Sequence, residues 1–91
     1  MLNVYGAVWC SHCDLTREWL DENRIEYNWH DIERQPEDVV RKVVEVNGGD
    51  DWVVPTLEYR GQWRAGKFFN AVETLTDLRR LGLPASHLSD I

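Results

Sequence analysis

The chain has 91 residues, 16 acidic against 10 basic, and a formal charge of -6. That length makes one small domain, and an acidic balance without any basic cluster argues against nucleic acid or an anionic membrane surface as a partner. No apolar run approaches the length of a bilayer and no charged-then-apolar leader precedes the first strand, so a soluble, cytoplasmic protein is expected.

In chain order, residues 2–5 read as a short strand, and Gly6-Ala7-Val8-Trp9 as the loop after it. Residues 11–23 read as a helix, with Leu15, Trp19 and Leu20 on one stripe and Arg17, Glu18, Asp21 and Glu22 outside. Residues 25–32 read as a second strand, with Ile25, Tyr27 and Trp29 alternating. A strand, helix and strand in succession imply parallel pairing with a right-handed crossover. Pro36-Glu37-Asp38 opens the next helix, with proline early and acids in its first turn. The five valines between Val39 and Val46 follow helical rather than alternating spacing, and Asn47-Gly48-Gly49 ends the element. Residues 56–60 and 62–65 read as an antiparallel hairpin around Gly61. Asn70 with Glu73 has the pattern of a capping box, and Val72, Leu75, Leu78 and Leu81 give a last helix stopped by Gly82 and Pro84. The domain is thus residues 1–82, with 83–91 as a tail.

Cys10-Ser11-His12-Cys13 carries the chemistry. These are the only two cysteines of the chain. Side chains at i and i+3 of a first helical turn share a face, so the sulfurs can meet. The unpaired amides and the dipole of that turn favour negative charge on the first sulfur, and thiolate is the nucleophilic form. A structural disulfide is a weaker reading, because closing so short a loop constrains the unfolded chain by only about 2 kcal/mol. Half of a zinc site needs further ligands, and His12, His30 and His87 are scattered. Two inert buried cysteines are the third alternative. A redox pair after a strand and opening a helix fits the context best.

The order β-α-β-α-β-β-α, with Trp9-Cys10-x-x-Cys13, Tyr27 with Asp31-Ile32, Val46-Asn47-Gly48-Gly49 and Val54-Pro55-Thr56, resembles the glutaredoxin branch of the thioredoxin superfamily. Within that branch it looks most like mycoredoxins and related small glutaredoxin-like proteins. The resemblance implies an α/β thioredoxin-like fold with a four-stranded mixed sheet flanked by helices. It implies Cys10 as nucleophile and Cys13 as resolving thiol. It also implies a cis Val54-Pro55 bond facing the cysteines, with the Val54 backbone pairing with an extended substrate. Trp9 and Ser11 join Val54 and Pro55 as expected substrate contacts.

The implied function is thiol–disulfide oxidoreduction on protein disulfides or mixed disulfides. No cofactor is permanently bound, and no metal. The expected co-substrate is a low-molecular-weight thiol such as glutathione or mycothiol, with a flavoprotein reductase as a further partner, and the protein is expected to be a monomer. The rival is a dimeric [2Fe–2S] iron–sulfur carrier, which the loss of proline after Cys10 would permit.

Several positions depart from the family pattern. Ala7 stands where many glutaredoxins have lysine, and Gly66-Lys67-Phe68-Phe69-Asn70 replaces the glycine-glycine-cysteine-aspartate run that caps glutathione. Arg41 and Lys42 could meet a carboxylate, although solvated surface is the simpler role. His12 could tune Cys10 by stabilising its thiolate, or lie in solvent. His30 reads as a core or edge histidine. Trp52 and Trp63 read as packing residues that could line a groove. Asn23 is expected to take the left-handed position at the end of the first helix.

Overall fold

The computed structural model describes residues 1–84. Its elements are β1 (Leu2–Gly6), α1 (Ser11–Glu22), β2 (Tyr27–Asp31), α2 (Glu37–Val46), β3 (Thr56–Tyr59), β4 (Gln62–Arg64) and α3 (Ala71–Leu81), with one 3-10 turn at Ile32–Arg34. The sheet order is β2-β1-β3-β4. β1 pairs parallel with β2, with Val4 opposite Trp29 and Gly6 opposite Asp31. It pairs antiparallel with β3, which pairs antiparallel with β4. This is the α/β thioredoxin-like fold with its mixed sheet.

Strand alternation assigns the two faces. Leu2 and Val4 join Leu57, Leu20 of α1 and Leu78 and Leu81 of α3 in the larger core. Each such leucine removed from water contributes roughly 1.5–3 kcal/mol. The opposite face carries Tyr5, which stacks on His30 at 4.7 Å and on Trp63 at 5.5 Å. There Val43 of α2 packs in a second cluster with Ala7, Ile32, Cys10 and Cys13. That cluster lies where β1 and β2 end, so the sheet itself puts the cysteines at its edge.

Several expectations need correction. Leu15 and Val72 were placed on apolar stripes by spacing, but both are exposed. The inward residues of α1 are Cys13, Thr16 and Leu20, and those of α3 are Thr74, Asp77, Leu78 and Leu81. The two buried threonines donate their hydroxyls to carbonyls one turn back, Thr16 to His12 and Thr74 to Asn70, each at 2.8 Å. A hydroxyl satisfied in this way enters the core at little cost.

Ile25 is buried but precedes β2, because the chain first closes α1. Its amide donates to the Leu20 carbonyl at 2.9 Å. In that closure the left-handed residue is Arg24, at φ 56, and not Asn23. Asn23 stays in the last turn, its amide side chain donating to the Trp19 carbonyl at 2.8 Å. Leu83 packs in the core rather than starting a tail, and its amide donates to the Leu78 carbonyl. Gly82 makes that turn at φ 96, as helix termination by glycine requires. The remainder of the expected tail, with His87, lies outside the described residues. No helix among the described residues is long and apolar enough to cross a membrane.

Candidate redox site

Cys10 is the N-cap of α1, with extended backbone at φ -88 and ψ 113. A cap residue turns its side chain back over the first-turn amides. Here the Cys13 amide donates to the Cys10 sulfur at 3.3 Å. The Cys10 amide donates to Ala7 and the Asp14 amide to Cys10, which fixes the turn at both ends. The Cys10 thiol faces the Val54 carbonyl at 3.9 Å. Both cysteines are free thiols. Cys10 keeps 8% of its surface exposed and Cys13 none, so a reagent from solvent meets Cys10 first. Burial pushes the Cys13 thiol up to about 12, helped by its hydrogen bond to Cys10, while a backbone contact with Ala7 opposes the shift.

The opposing wall is the segment before β3. The Val54–Pro55 peptide bond is cis. Among the described residues, nothing accepts a hydrogen bond from the Val54 amide. Three side chains hold this segment. Thr56 donates its hydroxyl to the Val53 carbonyl at 2.6 Å. Asn47 at the end of α2 donates to Thr56 at 3.0 Å and accepts from the Gly66 amide at 2.8 Å. Arg64 donates to the Pro55 carbonyl at 3.2 Å. Gly66 lies so close that an added Cβ would sit 2.6 Å from the Val53 backbone. From sequence Asn47 carries only a helix-ending signal and Arg64 reads as a surface strand residue. A lone arginine at an inward strand position was the available signal.

The remaining expected site residues are distributed around this centre. Trp9 is 64% exposed beside Cys10. Its indole N–H donates to Glu33 at 2.6 Å, and its ring leans on Trp52 at 6.3 Å. Ser11 opens α1 and is exposed. His12, expected to tune Cys10 or to lie in solvent, is partly buried. Its Nδ1 accepts from the Phe69 amide at 3.0 Å and its ring stacks on Phe68 at 4.7 Å. His12 therefore ties the head of α1 to the segment before α3. Trp63 belongs to the Tyr5 stack on the α2 face. His30 lies on edge strand β2 with Nε2 at 2.8 Å from the Asn3 side-chain oxygen. Burial lowers its affinity for a proton, opposed by Glu58.

The cations nearby are engaged. Arg41 pairs with Glu37 at 3.0 Å, Lys42 with Glu45 at 3.6 Å, and Lys67 with Asp77 at 2.7 Å. Arg17 lies over the Trp29 ring at 4.2 Å. Exposed Val8, Trp9, Val53 and Phe68 make the accessible surface of this region apolar.

A thiol at the head of a helix, a second thiol sealed behind it, and a proline segment across from them, on this sheet, define a thioredoxin-fold protein with a cysteine pair at its site. Comparisons narrow the class. No protein-family model matches the chain. By sequence it is similar to the glutaredoxin-like protein NrdH of Lactococcus lactis subsp. cremoris, at 39% identity over 46 residues. The matched stretch is 50% of this chain and 62% of that relative's length, less than two thirds of it. Among solved structures it is similar to a glutaredoxin from Archaeoglobus fulgidus, with a TM-score of 0.66 and 25% identity over 87% of this chain and 85% of that one. A solved thioredoxin-like protein matches with a TM-score of 0.61 and 26% identity, over 86% of this chain and 99% of the other. Wheat glutaredoxin shares the fold, with a TM-score of 0.60 at 13% identity over 98% of this chain and 79% of that one. The chain is thus similar to glutaredoxins and glutaredoxin-like proteins and has their thioredoxin-like fold.

Proposed function

We propose that the protein is a thiol–disulfide oxidoreductase working through Cys10 and Cys13. The observation that carries this reading is the asymmetry of the pair. Cys10 holds the accessible sulfur, with an amide hydrogen bond on it, while Cys13 is sealed and kept protonated. Cys10 thiolate attacks one sulfur of a disulfide, forms a mixed disulfide, and expels the other sulfur as thiolate. Cys13 then loses its proton and attacks the Cys10 sulfur. This forms the 10–13 disulfide and releases the second substrate sulfur. Two electrons from low-molecular-weight thiols or a flavoprotein reductase restore the dithiol.

The causes of the raised Cys13 value suit this order. Two of them, the hydrogen bond to Cys10 and the charge of Cys10, come from the nucleophile itself. Both are removed once Cys10 is in a mixed disulfide. Cys13 thus becomes easier to deprotonate at the step that uses it.

The Val54 backbone supplies an edge for an extended substrate, by strand addition. The apolar rim and the engaged cations suit a disulfide flanked by neutral or apolar groups, carried by a protein, better than a small anionic thiol. Glutathione and mycothiol remain the reductants to compare. The test is reduction of a protein mixed disulfide with each thiol and with a thioredoxin reductase couple. Thiol-dependent turnover supports the reading, and no turnover with any donor overturns it. A brown protein on anaerobic purification would point instead to the iron–sulfur carrier.

A further inference from the structure

Arg64 is buried at 5% exposure on the face of β4 that meets α3. Its partners are few. One Nη donates to the Pro55 carbonyl at 3.2 Å, and the other lies 3.9 Å from the Asp77 carboxylate. Its Nε–H has no partner among the described residues. Asp77 is itself shared, with Lys67 at 2.7 Å and Arg80 at 3.6 Å. Burying a guanidinium with such incomplete pairing costs stability, and an apolar side chain of similar volume commonly does as well or better. Leu57 lies opposite Arg64 in the strand register, so the surroundings would accept an apolar side chain. Stability therefore gives no reason for arginine at this position. Its best hydrogen bond goes to the segment whose preceding residue, Val54, faces the Cys10 sulfur.

We infer that Arg64 is a positioning residue for the proposed thiol–disulfide reaction, holding the Val54–Pro55 backbone edge at its distance from Cys10, with Asp77 orienting the guanidinium. The inference rests on the proposed function for its kinetic part only. Its structural part concerns the edge itself.

Arg64→Met removes the donor to the Pro55 carbonyl and the buried charge together. Misplacing a reacting group by a fraction of an ångström is costly to rate, so kcat/KM toward a protein mixed disulfide is expected to fall about tenfold. Iodoacetamide does not use the edge, so its reaction with Cys10 should stay within about twofold of wild type, and because Lys67 and Arg80 still pair with Asp77 the variant should remain folded. Hydrogen exchange at the Gly66 amide, which is bonded to Asn47 and packed against the Val53 backbone, should speed up. Arg64→Lys, which keeps a donor and a charge, should recover part of kcat/KM. Asp77→Asn leaves Arg64 in place but less oriented, and should lose several-fold; it serves if Arg64→Met does not fold. Unchanged exchange at the Gly66 amide overturns the inference. So does kcat/KM within twofold of wild type, or equal losses in turnover and alkylation. If wild type shows no turnover but exchange rises in the variant, the functional reading fails while the positioning of the edge stands.

Discussion

Replacing Gly6 with alanine should damage the fold at the one point where the strand, the site and the aromatic packing meet. A Cβ at this position would overlap Cη2 of Trp29 and lie 2.6 Å from its Cζ3 and 2.8 Å from the Cys13 sulfur. None of these atoms can move freely. Trp29 is opposite Val4 in the parallel register and covered by Arg17 at 4.2 Å, and Cys13 is fully buried in α1. Overpacking of this kind costs about 1–3 kcal/mol, and three rigid contacts put this case near the upper end. Alanine also restricts the unfolded chain, which returns about 0.4–1 kcal/mol. The net loss expected is about 2 kcal/mol. At about 4–8 °C per kcal/mol for a domain of this size, the melting temperature should fall by about 8–16 °C. Urea titration followed by tryptophan fluorescence measures this. In a Trp29→Leu background the same alanine should cost less, with a coupling of about 1 kcal/mol or more. A loss below about 0.5 kcal/mol, or full additivity with Trp29→Leu, would refute the reasoning.

Three further predictions follow from the protonation and hydrogen bonding of named groups. Burial holds Cys13 at about 12, while an unfolded cysteine titrates near about 8.5. Its proton therefore leaves the unfolded chain first, and stability is lost as pH rises above about 8.5, by up to about 1.4 kcal/mol per unit. The stability difference between wild type and Cys13→Ser should change with that slope in the reduced proteins; a pH-independent difference would contradict it. His30 is lowered by burial despite Glu58. The unfolded chain takes up that proton first, and His30 costs stability as pH falls below about 6.5. His30→Gln should flatten this limb, and an unchanged acid profile would count against it. His12→Tyr removes the acceptor for the Phe69 amide and should cost about 1 kcal/mol. The ring nitrogen Nδ1 is already engaged by the Phe69 amide, so the reduction potential should move by less than about 10 mV, against about 30 mV for a 1.4 kcal/mol contact. A larger shift toward more negative potential would restore His12 as a tuning residue.

Much of the fold was legible because its signals are local. The helix of residues 71–81 was read from Asn70 and Gly82, and the structure shows Asn70 accepting from the Glu73 amide at 3.0 Å, with Gly82 left-handed. The parallel pairing followed from a helix set between two strands. What misled was polarity. Thr16, Thr74 and Arg64 are inward, yet each reads as a surface residue until its partner is known, and those partners are backbone carbonyls. Leu15 and Val72 fitted a helical stripe equally well, but the stripe was rotated by the threonines. Cys10 at the helix head was visible from spacing. Its wall was not, because Asn47, Val54 and Arg64 come together only through the sheet and long-range hydrogen bonds. The tie from His12 to Phe69 was hidden for the same reason, since the two are 57 residues apart.

The central claim is that Cys10 attacks and Cys13 resolves. Mass spectrometry of Cys10→Ser and Cys13→Ser proteins after exposure to a protein mixed disulfide tests it most directly. The account predicts a single stable adduct on Cys10 in Cys13→Ser, no adduct in Cys10→Ser, and an intramolecular disulfide without adduct in wild type. An adduct on Cys13 in Cys10→Ser, or turnover by that variant, would contradict it.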